Sequence, residues 1–149
     1  MLSFFLILAI SFVVSAIACF IHYEILHGLH KQLLKISKRS HHYKLSTILV
    51  GISIAHLLEI IVYAIALYGS SHFGLGGLEG AVGSIANFED YLYFSVVSYS
   101  TLGIGEIYPV GHLRLLTGVE AVVGLMLIAW SATFFYAHME KRWNGKQSS

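Results

Sequence analysis

Three long stretches of this chain are almost free of charge. Residues 2–21 carry no Asp, Glu, Lys or Arg, residues 45–69 carry only Glu59, and residues 115–139 carry only Glu120. A helix crossing the roughly 30 Å hydrocarbon core of a bilayer needs about 20 mostly apolar residues. The three stretches have 20, 25 and 25. Hydrophobic residues make up 56% of the chain and charged residues 11%, against about 25% charged in a soluble domain. A water-soluble fold is therefore excluded, and so is disorder, which requires apolar poverty. The expectation is an all-α membrane protein with three transmembrane helices.

Other classes fall away on similar grounds. A net charge of +1 with no basic stripe speaks against a nucleic-acid partner. The lone Cys19 can form neither an internal disulfide nor a CxxC metal site. No nucleophile elbow, phosphate-binding loop or zinc-protease helix occurs. The chain is thus not expected to be an enzyme, and no cofactor or small-molecule substrate is expected.

Charge placement sets an expected topology. The connector after the first stretch holds Lys31, Lys35, Lys38, Arg39 and Lys44 against Glu24, and the tail holds Lys141, Arg142 and Lys146 against Glu140. Both belong on the cytoplasmic side. The connector at residues 70–114 carries Glu79, Glu89, Asp90 and Glu106 against Arg114 and belongs outside. The N-terminus is then outside and the C-terminus cytoplasmic. The first stretch could be a secretory signal, with small residues at Ser15, Ala16 and Ala18, but it lacks a basic start and is long for one. Retention as a helix at residues 1–22 is expected.

Residues 23–44 are rich in histidine, with His22, His27, His30, His41 and His42 crowding this region. Ile25, Leu26, Leu29, Leu33, Leu34 and Ile36 recur at helical spacing, so a basic amphipathic helix along the inner membrane surface, against lipid headgroups, is expected. His27 and His30, at i,i+3, are candidates for metal or pH sensing, against the plainer reading of solvated interfacial histidines. His56 and Glu59 share one face of the second stretch and are either a structural pair or a pH-sensing one.

The external connector contains a second signal. Asn87 followed by Glu89 and Asp90 reads as a helix N-terminus, with Asp90 placed for a reciprocal cap. The apolar, aromatic run that follows is too short to span a bilayer. It ends at Ser100-Thr101-Leu102-Gly103-Ile104-Gly105-Glu106. A re-entrant helix and loop follow from this, since irregular backbone at membrane depth survives only where protein buries it or it lines a water-filled path.

These residues resemble the potassium-channel selectivity filter, usually Thr-Val-Gly-Tyr-Gly-Asp. Tyr93-Phe94-Ser95-Val96-Val97-Ser98 resembles the preceding pore helix, and Ile107-Tyr108-Pro109-Val110 the segment that follows. Arg114 and the pattern Glu120-Ala121-Val122-Val123-Gly124 resemble the inner helices of many bacterial channels. The resemblance covers residues 87–139, and loosely the helix before them, while residues 2–44 have no counterpart in the minimal two-helix channels. It implies a pore module at residues 45–139: outer helix 45–69, external loop 70–86, pore helix 87–99, filter 100–106 and inner helix 111–139. A cytoplasmic tail at 140–149 would follow.

The resemblance further implies a homotetramer in a bacterial plasma membrane that conducts potassium. K⁺ would sit at the carbonyls of Thr101, Leu102, Gly103 and Ile104, with Gly105 completing the strand and the Leu102 and Ile104 side chains packing behind. Consecutive carbonyls can replace an ion's hydration shell, and glycine allows the left-handed backbone this requires. Tyr93, Phe94, Val97, Ser100, Glu106 and Glu120 would support the filter, and Gly124 and Trp130 are candidates for hinge or gate. Gating would arise from the membrane segments, the connector, lipid or a partner, because no ligand-binding domain follows residue 139 in this sequence and no span carries a voltage sensor's spaced arginines. The chain departs from the family at Ile104, usually Tyr, at Tyr93 and Phe94, often Trp, and at Val97, sometimes the glutamate that pairs with the acid after the filter. A weakly selective monovalent cation channel is the alternative within the class, and a histidine-rich metal-sensing or metal-transporting membrane protein the alternative outside it.

Overall fold

The computed structural model describes residues 1–36, 40–83 and 85–146. In chain order the elements are α1 (Leu2–Lys35), α2 (His41–His72), β1 (Gly76–Gly80), α3 (Phe88–Tyr99), β2 (Ile107–Gly111) and α4 (Leu113–Lys146). Three helices are long and apolar enough to cross a membrane: α1, α2 from His42 to His72, and α4 from Leu113 to Met139. The short α3 wedges between α2 and α4, and α1 lies against both of those long helices.

The core runs along the line where the helices meet. On α1 the buried positions are Ile7, Ser11, Val14, Ala18, His22, Leu26 and Leu29, a stripe of three- and four-residue steps. Small residues on this stripe let backbones approach closely, the usual device where lipid is as apolar as the core. Ile60, Tyr63 and Leu67 of α2, Tyr91 and Phe94 of α3 and Leu116 and Leu127 of α4 complete the cluster. The opposite face of α1, with Phe4, Phe5, Phe12 and Phe20, is exposed.

Several boundaries differ from the sequence reading, and α2 runs from His41 to His72 in place of the expected 45–69. No break occurs at residue 22: α1 continues as one helix to Lys35, so its histidine-rich half extends the first span instead of forming a separate surface helix. The buried stripe explains this, because His22, Leu26 and Leu29 carry it onward. Leu29 fills the space left by Gly51 of α2, where an added Cβ would lie 2.5 Å from the leucine side chain. Leu26 and Leu29 are thus covered by protein, while Leu34 stays exposed. Lys38 and Arg39 of the basic connector lie outside the described residues. Likewise α4 starts at Leu113, not at residue 111, and continues through the expected tail to Lys146.

The external loop also holds more order than its glycines imply. β1 pairs antiparallel with β2, with Gly76 opposite Gly111, Leu78 opposite Pro109 and Gly80 opposite Ile107. Gly76 and Gly80 have φ of 140° and 106°, and a Cβ at either would lie 2.1 Å from a backbone carbonyl oxygen of the facing strand. These glycines permit a contact that no side chain would allow. The all-α description therefore gains one two-stranded ribbon.

The start of α3 is capped reciprocally. Asn87 Oδ1 accepts from the Asp90 amide at 3.1 Å, and Asp90 Oδ2 accepts from the Asn87 amide at 2.8 Å. With Glu89 and Asp90 in the first turn, both orphan amides and the helix dipole are compensated.

Candidate ion pathway

The α3 helix ends at Tyr99, and Ser100 closes it in a right-handed conformation, its hydroxyl donating to the Val96 carbonyl at 2.7 Å. The next two amides turn back onto the helix: Thr101 donates to Ser98 at 3.0 Å and Leu102 to Val97 at 3.0 Å. Beyond this point the backbone alternates. Thr101, Gly103 and Gly105 have φ of 58°, 58° and 91°, and the residues between them do not enter that region. A β-branched residue at positive φ is uncommon, so Thr101 stores strain next to the helix end.

The strand is open on one side. Residues 101–105 are all exposed. The Leu102 and Ile104 side chains do not pack behind the strand: they are 65% and 58% exposed, because no surface of the same chain lies against them. Past Gly105 the chain is held again. Glu106 accepts a hydrogen bond from the Tyr93 hydroxyl through its carboxylate, and its carbonyl accepts from the Ala81 amide at 2.8 Å. The Glu106 carboxylate holds the Tyr93 hydroxyl above the ordinary phenol range. With valine at 97, the acid after residues 101–105 is thus partnered from one turn earlier on α3.

Behind the strand, the pore helix is braced by polar contacts. Ser95 Oγ lies 2.9 Å from the Ile60 carbonyl and 2.5 Å from Glu120 Oε1, so one hydroxyl joins α2, α3 and α4. Glu120 is fully buried, and Phe94 and Val97 of α3 are buried as well. Gly124 seats the end of the pore helix, since a Cβ there would lie 2.4 Å from the Tyr99 carbonyl oxygen. Gly124→Ala is expected to destabilise the protein by about 1–3 kcal/mol, the usual cost of overpacking. Gly118→Ala on the same helix meets nothing within 4 Å and is expected to be neutral or better; comparing the two unfolding midpoints checks this.

Below the pore helix lies a cluster that sequence spacing only half showed. Glu59 Oε1 is 2.8 Å from His22 Nδ1 and Glu59 Oε2 is 3.1 Å from His56 Nδ1. The Tyr99 hydroxyl also donates to Glu59 and lies 2.8 Å from His56 Nδ1. Ser131 Oγ lies 3.4 Å from His22 Nε2 and 3.1 Å from His56 Nε2. His22 is completely buried, not solvated at the interface. The missed partners are His22, Tyr99 and Ser131; the signal for His22 was its place in the steps 18, 22, 26 and 29 of the α1 stripe. His27 and His30 do not converge: His27 stacks on Tyr23 at 5.7 Å, and His30 meets His138 at 5.9 Å. Trp130 is partly exposed and lies 5.2 Å from the His22 ring.

A family model described as Ion channel matches residues 45–141. No curated protein and no solved structure matches the chain. The matched region takes in α2, the ribbon, α3, the strand after it and most of α4, so with three membrane-long helices, two of them flanking a capped half-length one, this integral membrane protein belongs to the ion-channel family.

Proposed function

We propose that this channel conducts potassium as a homotetramer, with ions passing along the fourfold axis. The permeating ion would be held by the carbonyls of Thr101, Leu102, Gly103 and Ile104 and by the Thr101 hydroxyl. The observation that carries this reading is the backbone alternation at residues 101–105, with φ positive at every second residue. Alternating handedness turns successive carbonyls toward one side, which is what exchange of a hydration shell requires. One strand supplies only part of such a ring, and closed rotational symmetry supplies the rest. The exposure of Leu102 and Ile104 supports the same assembly, since a neighbouring copy would cover them.

Charge favours cations along the whole route. The carbonyl end of α3 directs the negative end of its dipole toward the inner side of the strand. Glu106, with Glu79, Glu89 and Asp90 on the same connector, would raise cation concentration at the mouth. The N-terminus would be outside and the C-terminus cytoplasmic, in a plasma membrane.

The test is purified protein in liposomes. Potassium efflux is expected, with sodium much slower, from vesicles whose protein runs as four chains. Absence of potassium flux from vesicles containing the tetramer would overturn the proposal. Equal sodium and potassium flux would replace it with the weakly selective reading, which the hydroxyl-free Ile104 favours.

A further inference from the structure

We infer that His22, His56 and Glu59 form a binding site for one divalent transition-metal ion of zinc type, inside the bundle beneath the pore helix. Their donor atoms lie within 4.8 Å of one another. The two closest pairs, His22 Nδ1 to Glu59 Oε1 and His56 Nδ1 to Glu59 Oε2, are 2.8 and 3.1 Å apart. Zinc bonds of about 2.0–2.1 Å place tetrahedral ligand atoms about 3.3–3.4 Å apart. Seating the ion therefore takes side-chain adjustment within that 4.8 Å spread. The Tyr99 hydroxyl, 2.8 Å from His56 Nδ1 and bonded to Glu59, lies beside two of the three ligands. Two imidazoles and one carboxylate suit a borderline cation; calcium would need six or more oxygens.

The far side of the rings argues for the same ligand. Both Nε2 atoms face one hydroxyl, that of Ser131, at 3.4 and 3.1 Å. If both rings are neutral and donate Nδ1–H to Glu59, they present two bare acceptors to a hydroxyl with one proton, and one stays unsatisfied. A metal held on the Nδ1 atoms moves both protons to Nε2. Both rings then donate to the two lone pairs of Ser131 Oγ, the outer-shell support that metal-bound histidines ordinarily have. The competing ways to complete the network are one extra proton shared by the rings, or a neutral His56 that donates from Nε2 to Ser131 and accepts from Tyr99 at Nδ1. His56, with 19% of its side chain exposed, supplies the route of entry. The ion would tie α1 to α2, to the end of the pore helix and to α4.

Full-length protein, stripped with chelator in detergent, would be titrated with Zn²⁺ by calorimetry, and with Co²⁺ by visible absorbance. One zinc per chain is expected, with the intense visible bands of tetrahedral cobalt. Ser131→Ala, which leaves all three ligands in place, is expected to weaken zinc binding about 10–100-fold. His22→Gln is expected to abolish it, and the double variant His27→Gln/His30→Gln to leave it unchanged. The inference is overturned if folded wild-type protein takes up no stoichiometric zinc. It is equally overturned if Ser131→Ala binds as tightly as wild type, or if only the His27→Gln/His30→Gln variant loses binding. The binding readouts need no ion flux, so they stand apart from the fate of the conduction proposal.

Discussion

Gly105→Ala is expected to reduce potassium flux to the level of empty vesicles while the protein still folds and assembles. The φ of Gly105 is 91°, beyond the left-handed well near +50 to +70° that an L-residue can enter. Holding alanine there costs about 1–3 kcal/mol per chain. In the proposed ring of four the penalty is roughly 4–12 kcal/mol, enough to turn the peptide away from the arrangement proposed to hold ions. Within one chain an added Cβ meets only the Gly103 carbonyl oxygen, at 4.0 Å. The measurement is flux from vesicles matched for protein, alongside chain number by cross-linking. Flux at wild-type levels from intact tetramers would show that the 101–105 backbone does not line the pathway.

His22→Ala is expected to give the largest stability loss, about 3–5 kcal/mol, because removing one partner strands a buried charge. Glu59 is completely buried, as is His22, and His22 Nδ1 lies 2.8 Å from Glu59 Oε1. Replacing both residues, as His22→Leu with Glu59→Leu, is expected to recover much of the loss, since an apolar pair of similar volume avoids the desolvation problem. Unfolding midpoints of His22→Leu, Glu59→Leu and the double variant close the cycle. A single-variant loss below about 1 kcal/mol, the size of an exposed ion pair, would mean the pair carries little of the fold.

The parts of this protein legible in sequence are those set by local pattern. Long uncharged runs mark the spans, because the bilayer demands length and apolarity and little else. Asn87 and Asp90 mark the pore helix, because a cap is a three-residue device. The glycines at 103 and 105 mark the alternating strand for the same reason. What sequence hid was set by contacts far apart in the chain. Histidines and Lys31 made the lower half of α1 read as a surface connector, yet its stripe is buried against α2 and α4. The Gly76–Gly80 strand has no alternation of polar and apolar residues, so it reads as a turn until Ile107–Gly111 is laid beside it. His22 and Glu59 are 37 residues apart, and no spacing rule joins them. Thr101 at positive φ runs against the preference of a β-branched residue, and is forced by the amide bonds that fold residues 101 and 102 back onto the helix.

The ribbon gives the strand it adjoins a mechanical character. Residues 101–105 leave one support at the end of α3, where the Thr101 and Leu102 amides are tied to carbonyls of the last helical turn. They reach another at Glu106, whose carbonyl is tied to Ala81 across the ribbon. The span between the supports has five residues and no slack of its own, like a short bridge between fixed piers. Its length is a property of the piers. A deletion within the span has nowhere to be absorbed.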